Sequence, residues 1–373
     1  MKPILKQLGA LLAALAALYG VALAVTLVLV PCNDAVDRLD SGRAGASLYM
    51  TEPKYVFLAR ARLDTPADKV VLVGASNMAV GFRQTQVQEQ LPDVEVHNLS
   101  VGGSNITQVA QIVDLVREVQ SPEARAHTTW VIGLWYGLFA DDKARWYTED
   151  RHGGDTDIDI ERYRYGFYRR TDDGPQPVLP PHRLDTGVTL IHPYLVLDRV
   201  ARDMTRSLRS RLSAKPKVIT NDERDAAVVS DAERKAYLAF WRDYMGNATS
   251  LGDAPFRTLE RTIDTVLADG GRVVLVDMPI PPWHRTGSVL AADYTRRTAA
   301  LFATLKARPG VSVVPAFDGV DLDFSDEVHP KPRVTAQWAR QLAVSMTAPP
   351  VPVMTQAVST QADALPIPTA TTE

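Results

Sequence analysis

The sequence KVVLVGASNMAVGF, residues 69–82, joins a short apolar run to a turn of small residues. Val70–Val73 contains no polar residue, which is the pattern of a parallel strand buried on both faces. Gly74 and Ala75 follow and allow a sharp turn that leaves Ser76 at the end of the strand. Because ligands bind at the carboxyl ends of strands in open α/β sheets, Ser76 is a candidate nucleophile.

Four more apolar runs alternate with helical patterns along the chain. The further predicted strands are 94–98, 128–134, 272–277 and 311–314, and the main predicted helices are about 105–119, 230–245, 255–267, 291–307 and 334–346. This order predicts an α/β, doubly wound, three-layer domain with a five-stranded parallel sheet. A charged and aromatic stretch interrupts the alternation, so an insertion of about 141–268 is predicted between the third and fourth strands.

The N-terminal region contains an uncharged apolar run, Leu8–Val30, long enough to cross a bilayer as one helix. Lys2 and Lys6 precede it, and the positive-inside rule therefore predicts that the C-terminal body faces outward. A cleaved signal peptide is the alternative, although its apolar core is usually shorter. A lipoprotein site at Cys32 is a weaker alternative, since Pro31 stands where a small residue is expected, and we favour a buried or interfacial free thiol.

The predicted organisation has four parts. Residues 1–31 form a cytoplasmic tip and transmembrane anchor, 32–68 a linker, 69–347 the main domain and 348–373 a disordered tail rich in Pro, Thr, Ala and Val. A net charge of −3 gives no reason to expect nucleic acid as a partner. The single cysteine excludes an internal disulfide and a cysteine metal cluster.

A serine hydroxyl needs a base, and the chain has seven histidines. His329 stands out because it lies in Asp326-Glu327-Val328-His329-Pro330, between the fifth strand and the last helix. Asp326, three residues earlier, can orient the imidazole as the third member of a catalytic triad does. A histidine in a loop is more often plain polar surface, and it is the combination with Ser76 that favours catalysis.

Charge that develops on a substrate oxygen needs hydrogen-bond donors. The backbone N–H groups of Ser76 and Gly103 are candidates, since both follow strand ends and glycine permits close approach of the backbone. The alternative is that Gly102-Gly103 is a simple turn.

Three segments together resemble the sequence blocks of the SGNH/GDSL hydrolase superfamily: GASN at 74–77, NLSVGG at 98–103 and DEVHP at 326–330. They occur in the order of that family and span about residues 69–346. The resemblance implies a flavodoxin-like sheet, Ser76 as nucleophile, His329 as base and Asp326 as the residue that orients it. It also implies that the Gly103 amide donates to the oxyanion, and it implies no metal or cofactor.

The chain departs from this family pattern in two places. Ala75 replaces an acidic residue that has no catalytic role, and Trp135 stands where the family has an oxyanion asparagine. The indole N–H of Trp135 can substitute, as can Asn77 or Asn105. A missing oxyanion donor costs about 2.7–4 kcal/mol of transition-state stabilisation, so a replacement is expected in an efficient enzyme.

A tethered, outward-facing domain of this kind resembles the accessory acyltransferases of bacterial envelope polymers, such as those of alginate and cellulose O-acetylation and of teichoic acid D-alanylation. The resemblance implies a single-pass protein of the bacterial inner membrane with a periplasmic domain. The expected activity is transfer of an acyl group, such as acetyl, on an envelope polysaccharide, with a polytopic membrane-bound O-acyltransferase as partner. The alternatives are an esterase or deacetylase with the same triad, and a non-catalytic glycan-binding or scaffold subunit.

Two basic segments have both a functional and a plainer interpretation. Arg162–Arg170 interleaves basic and aromatic residues, which suits an anionic or carbohydrate ligand, but we favour a solvated strand or loop. Tyr194–Leu212 has the pattern of a basic amphipathic helix. Such a helix can lie on an anionic membrane, but a solvated helix face is the favoured interpretation.

Overall fold

The computed structural model of the chain describes the N-terminal helix and most of the folded body. The described residues are 2–29, 54–139, 163, 166, 168–172, 174–197, 201, 204–205, 208, 221–314, 317 and 319–347. Cys32, the predicted tail and the first part of the predicted insertion lie outside them.

A parallel sheet forms the centre of the fold. The strands of the described chain are β1 (Lys69–Val73), β2 (Glu95–Asn98), β3 (Thr128–Leu134), β4 (Tyr168–Thr171), β5 (Gly174–Pro177), β6 (Arg272–Asp277) and β7 (Val311–Val314). Five of them pair in parallel in the order β2-β1-β3-β6-β7, which is one of the common orders of doubly wound sheets. The predicted α/β class and five-stranded parallel sheet are confirmed. The first and last residues of each predicted strand lie within one residue of the observed ends.

The central strands are covered on both faces. All residues of β1 and β3 are buried, and successive side chains of a strand point to opposite faces. Both faces of the sheet are therefore packed against other elements, as the uninterrupted apolar runs indicate.

Helices precede, connect and follow these strands. Their bounds are α1 (Lys2–Leu29), α2 (Lys54–Leu63), α3 (Ser76–Gly81), α4 (Gln84–Gln90), α5 (Ile106–Val119), α6 (Pro122–Ala126), α7 (Pro181–Leu190), α8 (Asn221–Ala226), α9 (Asp231–Tyr244), α10 (Asp253–Ala268), α11 (Pro282–Gly287), α12 (Val289–Lys306) and α13 (Pro332–Thr347). Helix α5 contacts α2 and α10, whereas α4 contacts α13 and β2. Capping boxes at Asn105 and Ser230 begin α5 and α9, because each side chain accepts a hydrogen bond from the third backbone N–H of its helix.

Helix α1 is long and apolar enough to cross a membrane. Its segment Pro3–Leu29 has a mean hydropathy of 2.4. Among the described residues it is the one helix with these properties. A membrane-spanning role is therefore possible on length and composition.

The folded body begins earlier than the sequence predicted. Residues 32–68 were assigned to a linker, but α2 lies within that range and contacts α5. Val56, Ala59 and Leu63 on α2 are completely buried. The prediction was wrong for this part because the apolar side chains of α2 find their partners only in the tertiary structure.

The predicted insertion of about 141–268 also needs a correction. Its last helix, α10, packs against α5 and β6 and so belongs to the layers that cover the sheet. Within the same range, β4 carries part of the basic and aromatic segment. Tyr168 is buried and donates to Glu118 Oε2 at 2.5 Å, while Arg169 and Arg170 are exposed. This arrangement matches the favoured interpretation of a solvated strand.

Candidate active site

Ser76 lies where β1 turns into α3. A Cβ atom at Gly74 would lie 2.8 Å from Met78 Cβ and 3.0 Å from the Gly133 carbonyl oxygen. Met78 is fully buried beneath the turn, so position 74 has no room for a side chain. The close approach of the backbone to Met78 therefore explains the glycine and brings Ser76, which is half-buried, to the edge of the sheet.

The loop after β2 is bound to the same turn. The Gly74 carbonyl oxygen accepts hydrogen bonds from Val101 N at 2.9 Å and from Ser104 Oγ at 3.1 Å. A Cβ at Gly102 would lie 3.8 Å from Ser76 Cβ, and Gly103 has a φ of 71°, in the region that favours glycine. Gly102 is thus next to Ser76, and Gly103, the predicted oxyanion donor, follows it in the same loop.

The loop that carries the predicted base closes on itself. Ser325 N donates to the His329 carbonyl oxygen at 2.9 Å, and Phe324 forms a β-bridge with Pro330. Within this loop Asp326 Oδ1 accepts from Val328 N at 3.0 Å and from His329 N at 2.8 Å. The carboxylate is therefore held in place by its own loop.

The structure brings Ser76, His329 and Asp326 into one hydrogen-bonded chain. Asp326 Oδ2 lies 2.8 Å from His329 Nδ1, and His329 Nε2 lies 2.8 Å from Ser76 Oγ. Since a carboxylate only accepts, the proton of a neutral imidazole belongs on Nδ1, which leaves Nε2 free to accept the serine O–H. The His329 and Asp326 side chains are 29% and 27% exposed, so a substrate can reach them.

The electrostatics of the pair fit a base and its orienting carboxylate. Burial alone would lower the pKa of His329, but the hydrogen bond to Asp326 and the nearby carboxylates outweigh it and raise that pKa. Burial likewise opposes the charge of Asp326, yet the bonds from His329 and the loop amides lower its pKa. The pKa of Glu327 is raised by burial and by the charge of Asp326.

A second histidine supports the loop from behind. His284 is completely buried, with Nδ1 2.7 Å from the Glu327 carbonyl oxygen and Nε2 2.5 Å from Tyr136 Oη. A carbonyl only accepts, so Nδ1 carries the proton and the Tyr136 hydroxyl donates to Nε2. Burial lowers the pKa of His284, which favours the neutral form of the ring. No role was predicted for His284 from the sequence, although its position shortly after β6 was a usable signal.

Aromatic residues of α9 and α11 form a wall beside this loop. The rings of Tyr237 and Trp283 are 6.4 Å apart, and the Arg234 guanidinium lies 5.8 Å from the centre of the Trp283 ring. Burial and the charges of Glu327 and Asp326 raise the pKa of Tyr237. Tyr237 and Trp283 are half-buried, so part of each ring faces solvent.

The other predicted oxyanion donors occupy three different environments. Asn77 is completely buried, its Oδ1 accepts from Met78 N at 2.9 Å, and its Nδ2 has no partner among the described residues. The Asn105 carboxamide oxygen caps α5 by accepting from Gln108 N at 3.2 Å. Trp135 is buried edge-on against Trp241, with ring centres 5.0 Å apart, and its Nε1 also has no partner in the described part of the chain.

Within the described residues, no group of three His, Cys, Asp or Glu side chains is placed to hold a metal ion. Comparison with known families and proteins gives no relative: no protein-family model matches the chain, and no curated protein matches it.

Proposed function

We propose that this chain is a membrane-anchored serine acyltransferase of the SGNH type that moves O-acyl groups, such as acetyl, on an extracytoplasmic polysaccharide. The proposal rests on two contacts of 2.8 Å, one from Asp326 Oδ2 to His329 Nδ1 and the other from His329 Nε2 to Ser76 Oγ. Several unrelated folds use this arrangement for acyl transfer: a serine is hydrogen-bonded to a histidine, and a carboxylate orients that histidine.

In this mechanism Ser76 Oγ attacks the carbonyl carbon of an ester while His329 Nε2 takes the hydroxyl proton. The backbone N–H groups of Ser76 and Gly103 are the proposed donors to the oxyanion. Collapse of the tetrahedral intermediate breaks the ester bond, and the imidazolium returns its proton to the departing alcohol. His329 then deprotonates the acceptor hydroxyl, which attacks the acyl-serine. Collapse of this second intermediate releases the acylated acceptor, and the imidazolium returns its proton to Ser76 Oγ.

Two features favour a saccharide at the membrane as the substrate. The half-buried rings of Tyr237 and Trp283 offer apolar faces beside the loop of His329, and aromatic faces suit the C–H surface of a sugar. Helix α1 supplies a membrane anchor if it spans the bilayer. A polytopic membrane-bound O-acyltransferase that delivers the acyl group is the partner that this proposal predicts.

The proposal is tested on the full-length chain in detergent or nanodiscs with an aryl acetate, in the presence and absence of an oligosaccharide acceptor. We expect turnover that increases with the acceptor and yields acylated sugar. Ser76→Ala should reduce the rate roughly 10⁴-fold or more, because the nucleophile is lost. Ser345→Ala, an exposed serine on α13, is the matched control and should retain full activity.

The same assay separates the alternatives. Turnover that depends on Ser76 but releases only acetate, whatever acceptor is added, would replace transfer with ester hydrolysis. A Ser76→Ala chain that retains full function in cells would establish a non-catalytic glycan-binding or scaffold role.

A further inference from the structure

An exposed apolar stripe follows α7. Residues 192–197 are helical, as are 201, 204, 205 and 208. Apolar side chains that are between 54% and 71% exposed recur here at Tyr194, Leu197, Met204 and Leu208. Together with the exposed Ala201 they recur at intervals of three and four residues, which is the spacing of side chains on one side of an α-helix. We call these five residues the apolar stripe.

The neighbouring residues show that this helix also has a packed face. Leu195 and Val196 are buried in the core of the domain. The apolar stripe is therefore a second apolar surface, and no described residue covers it. A helix whose second face meets only water would carry polar side chains there.

The stripe begins where the domain meets α1. Tyr19 on α1 donates a hydrogen bond to the Leu190 carbonyl oxygen, and Thr26 Oγ1 lies 3.1 Å from His192 Nδ1. Thr26 and His192 are both buried in this contact. The residues just before the apolar stripe are thus held against the anchor helix itself.

If α1 spans the membrane, its length gives the position of this contact relative to the bilayer. About 20 residues cross the hydrocarbon of a bilayer, so a span that begins at the first residue of the uncharged run, Leu8, ends near Leu27. Thr26 then lies at the outer boundary, and Tyr19 lies about 10 Å below Thr26 at about 1.5 Å per residue. Leu190 and His192 are accordingly at the level of the outer leaflet.

We propose that the apolar stripe lies in the outer leaflet of the bilayer that α1 crosses and forms a second membrane attachment. The occupant of this surface is lipid, because the stripe continues from contacts that a spanning α1 places at lipid depth. Helices that lie in the interface bury their apolar side by about 5–10 Å and carry basic residues elsewhere. In the sequence Arg199, Arg202, Arg206 and Arg209 alternate with the stripe. The proposal depends on α1 spanning the membrane but not on the catalytic role of Ser76.

The test places a polarity-sensitive fluorophore on single cysteines of the full-length chain, in a Cys32→Ser background, in vesicles of phosphatidylethanolamine and phosphatidylglycerol. Probes at Leu197→Cys and Met204→Cys should show blue-shifted emission, should lose fluorescence when lipids with a shallow spin label are included, and should resist aqueous iodide. A probe at Lys235→Cys, on the exposed side of α9, is the control and should respond to iodide alone.

A Leu15→Cys probe reports separately on α1 and should be quenched by lipids with a deep spin label. If the stripe probes respond to iodide as Lys235→Cys does, the proposal is overturned, and the Leu15→Cys result then shows whether α1 spans without it. Stripe probes shielded from both quenchers would also overturn it, since a second copy or another membrane protein would then cover the stripe. Unchanged thermal unfolding shows that each labelled chain is folded.

Discussion

Asp326 combines two tasks in one side chain. Its Oδ1 accepts from Val328 N and His329 N, which fixes the loop, and its Oδ2 faces His329 Nδ1 at 2.8 Å. Because the loop amides already orient the carboxylate, it does not need to reorganise when His329 becomes charged. Its negative charge is also a main reason why the pKa of His329 is raised, which links the orienting role to the pH dependence of the site.

The first prediction concerns this link. His329 must be neutral to accept the Ser76 proton, so kcat/KM falls as the pH drops through the pKa of His329. Asp326→Asn removes the charge that raises this pKa, so the acid limb of the profile should move to lower pH. The maximum rate should fall by about 10⁴-fold, because the imidazole loses its orienting carboxylate. The measurement is kcat/KM for an aryl acetate against pH.

Glu327→Gln provides the matched control for this prediction. The Glu327 charge also raises the pKa of His329 but contributes after Asp326, and its side chain does not orient the imidazole. We expect a smaller shift of the acid limb in the same direction with most of the rate retained. An acid limb that stays at the same pH in Asp326→Asn would show that His329 is not the titrating base.

At the level of elements, Met78 joins β1, α3 and β3. Its side chain fills the space that a Cβ at Gly74 would need, and a Cβ at Gly133 on β3 would lie 2.6 Å from its sulfur. The geometry of the serine turn therefore depends on a glycine in a neighbouring strand.

The second prediction tests this packing with Gly133→Ala. The added methyl group should lower the free energy of unfolding by about 1–3 kcal/mol through overpacking. Met78→Ala alone should cost about 2–5 kcal/mol, but the double variant should cost less than the sum, since each change relieves the other. Chemical denaturation of the single and double variants measures this coupling. Additive losses would contradict the role of Met78 as the shared contact.

Much of the arrangement of strands and loops could be predicted from the sequence. The central strands are all-apolar runs bounded by turn residues, so their existence and order were readable. The parallel order also explains how Ser76 and His329 meet although 253 residues separate them, because both follow strands whose carboxyl ends lie at one edge. Loops that follow these strand ends were therefore the right places to search for a site.

Other features depend on tertiary contacts that no local pattern encodes. The segment KYVFLARARL of α2 has no clear apolar face, and its burial comes from contact with α5. The position of His284 shortly after β6 pointed to the edge of the sheet, but its supporting role became visible only through its two partners. Trp135 was considered as a donor by its position in the chain, whereas the structure buries it among aromatic rings.

At the level of the whole molecule, both described helices before β1 contact the body of the protein. Helix α2 contacts α5, and the Gln120 carboxamide donates to the Leu63 carbonyl oxygen at 2.9 Å. Helix α1 contacts Leu190 and His192. The region before β1 is thus part of the folded body. The stability of a soluble fragment should therefore depend on the residue at which it begins.

The last prediction compares two fragments that lack α1, residues 51–347 and 69–347. The shorter one loses α2 and with it the buried side chains of Val56 and Leu63. At about 1.5–3 kcal/mol for each buried Val or Leu, it should be less stable by roughly 3–6 kcal/mol. Thermal and denaturant unfolding should therefore show a clearly lower midpoint for residues 69–347.

In the longer fragment, Leu63→Ala should reproduce part of this loss, whereas Ala61→Ser, at an exposed position of the same helix, should not. Equal midpoints for the two fragments would mean that α2 does not stabilise the body, and the domain would then begin at β1 as the sequence had indicated.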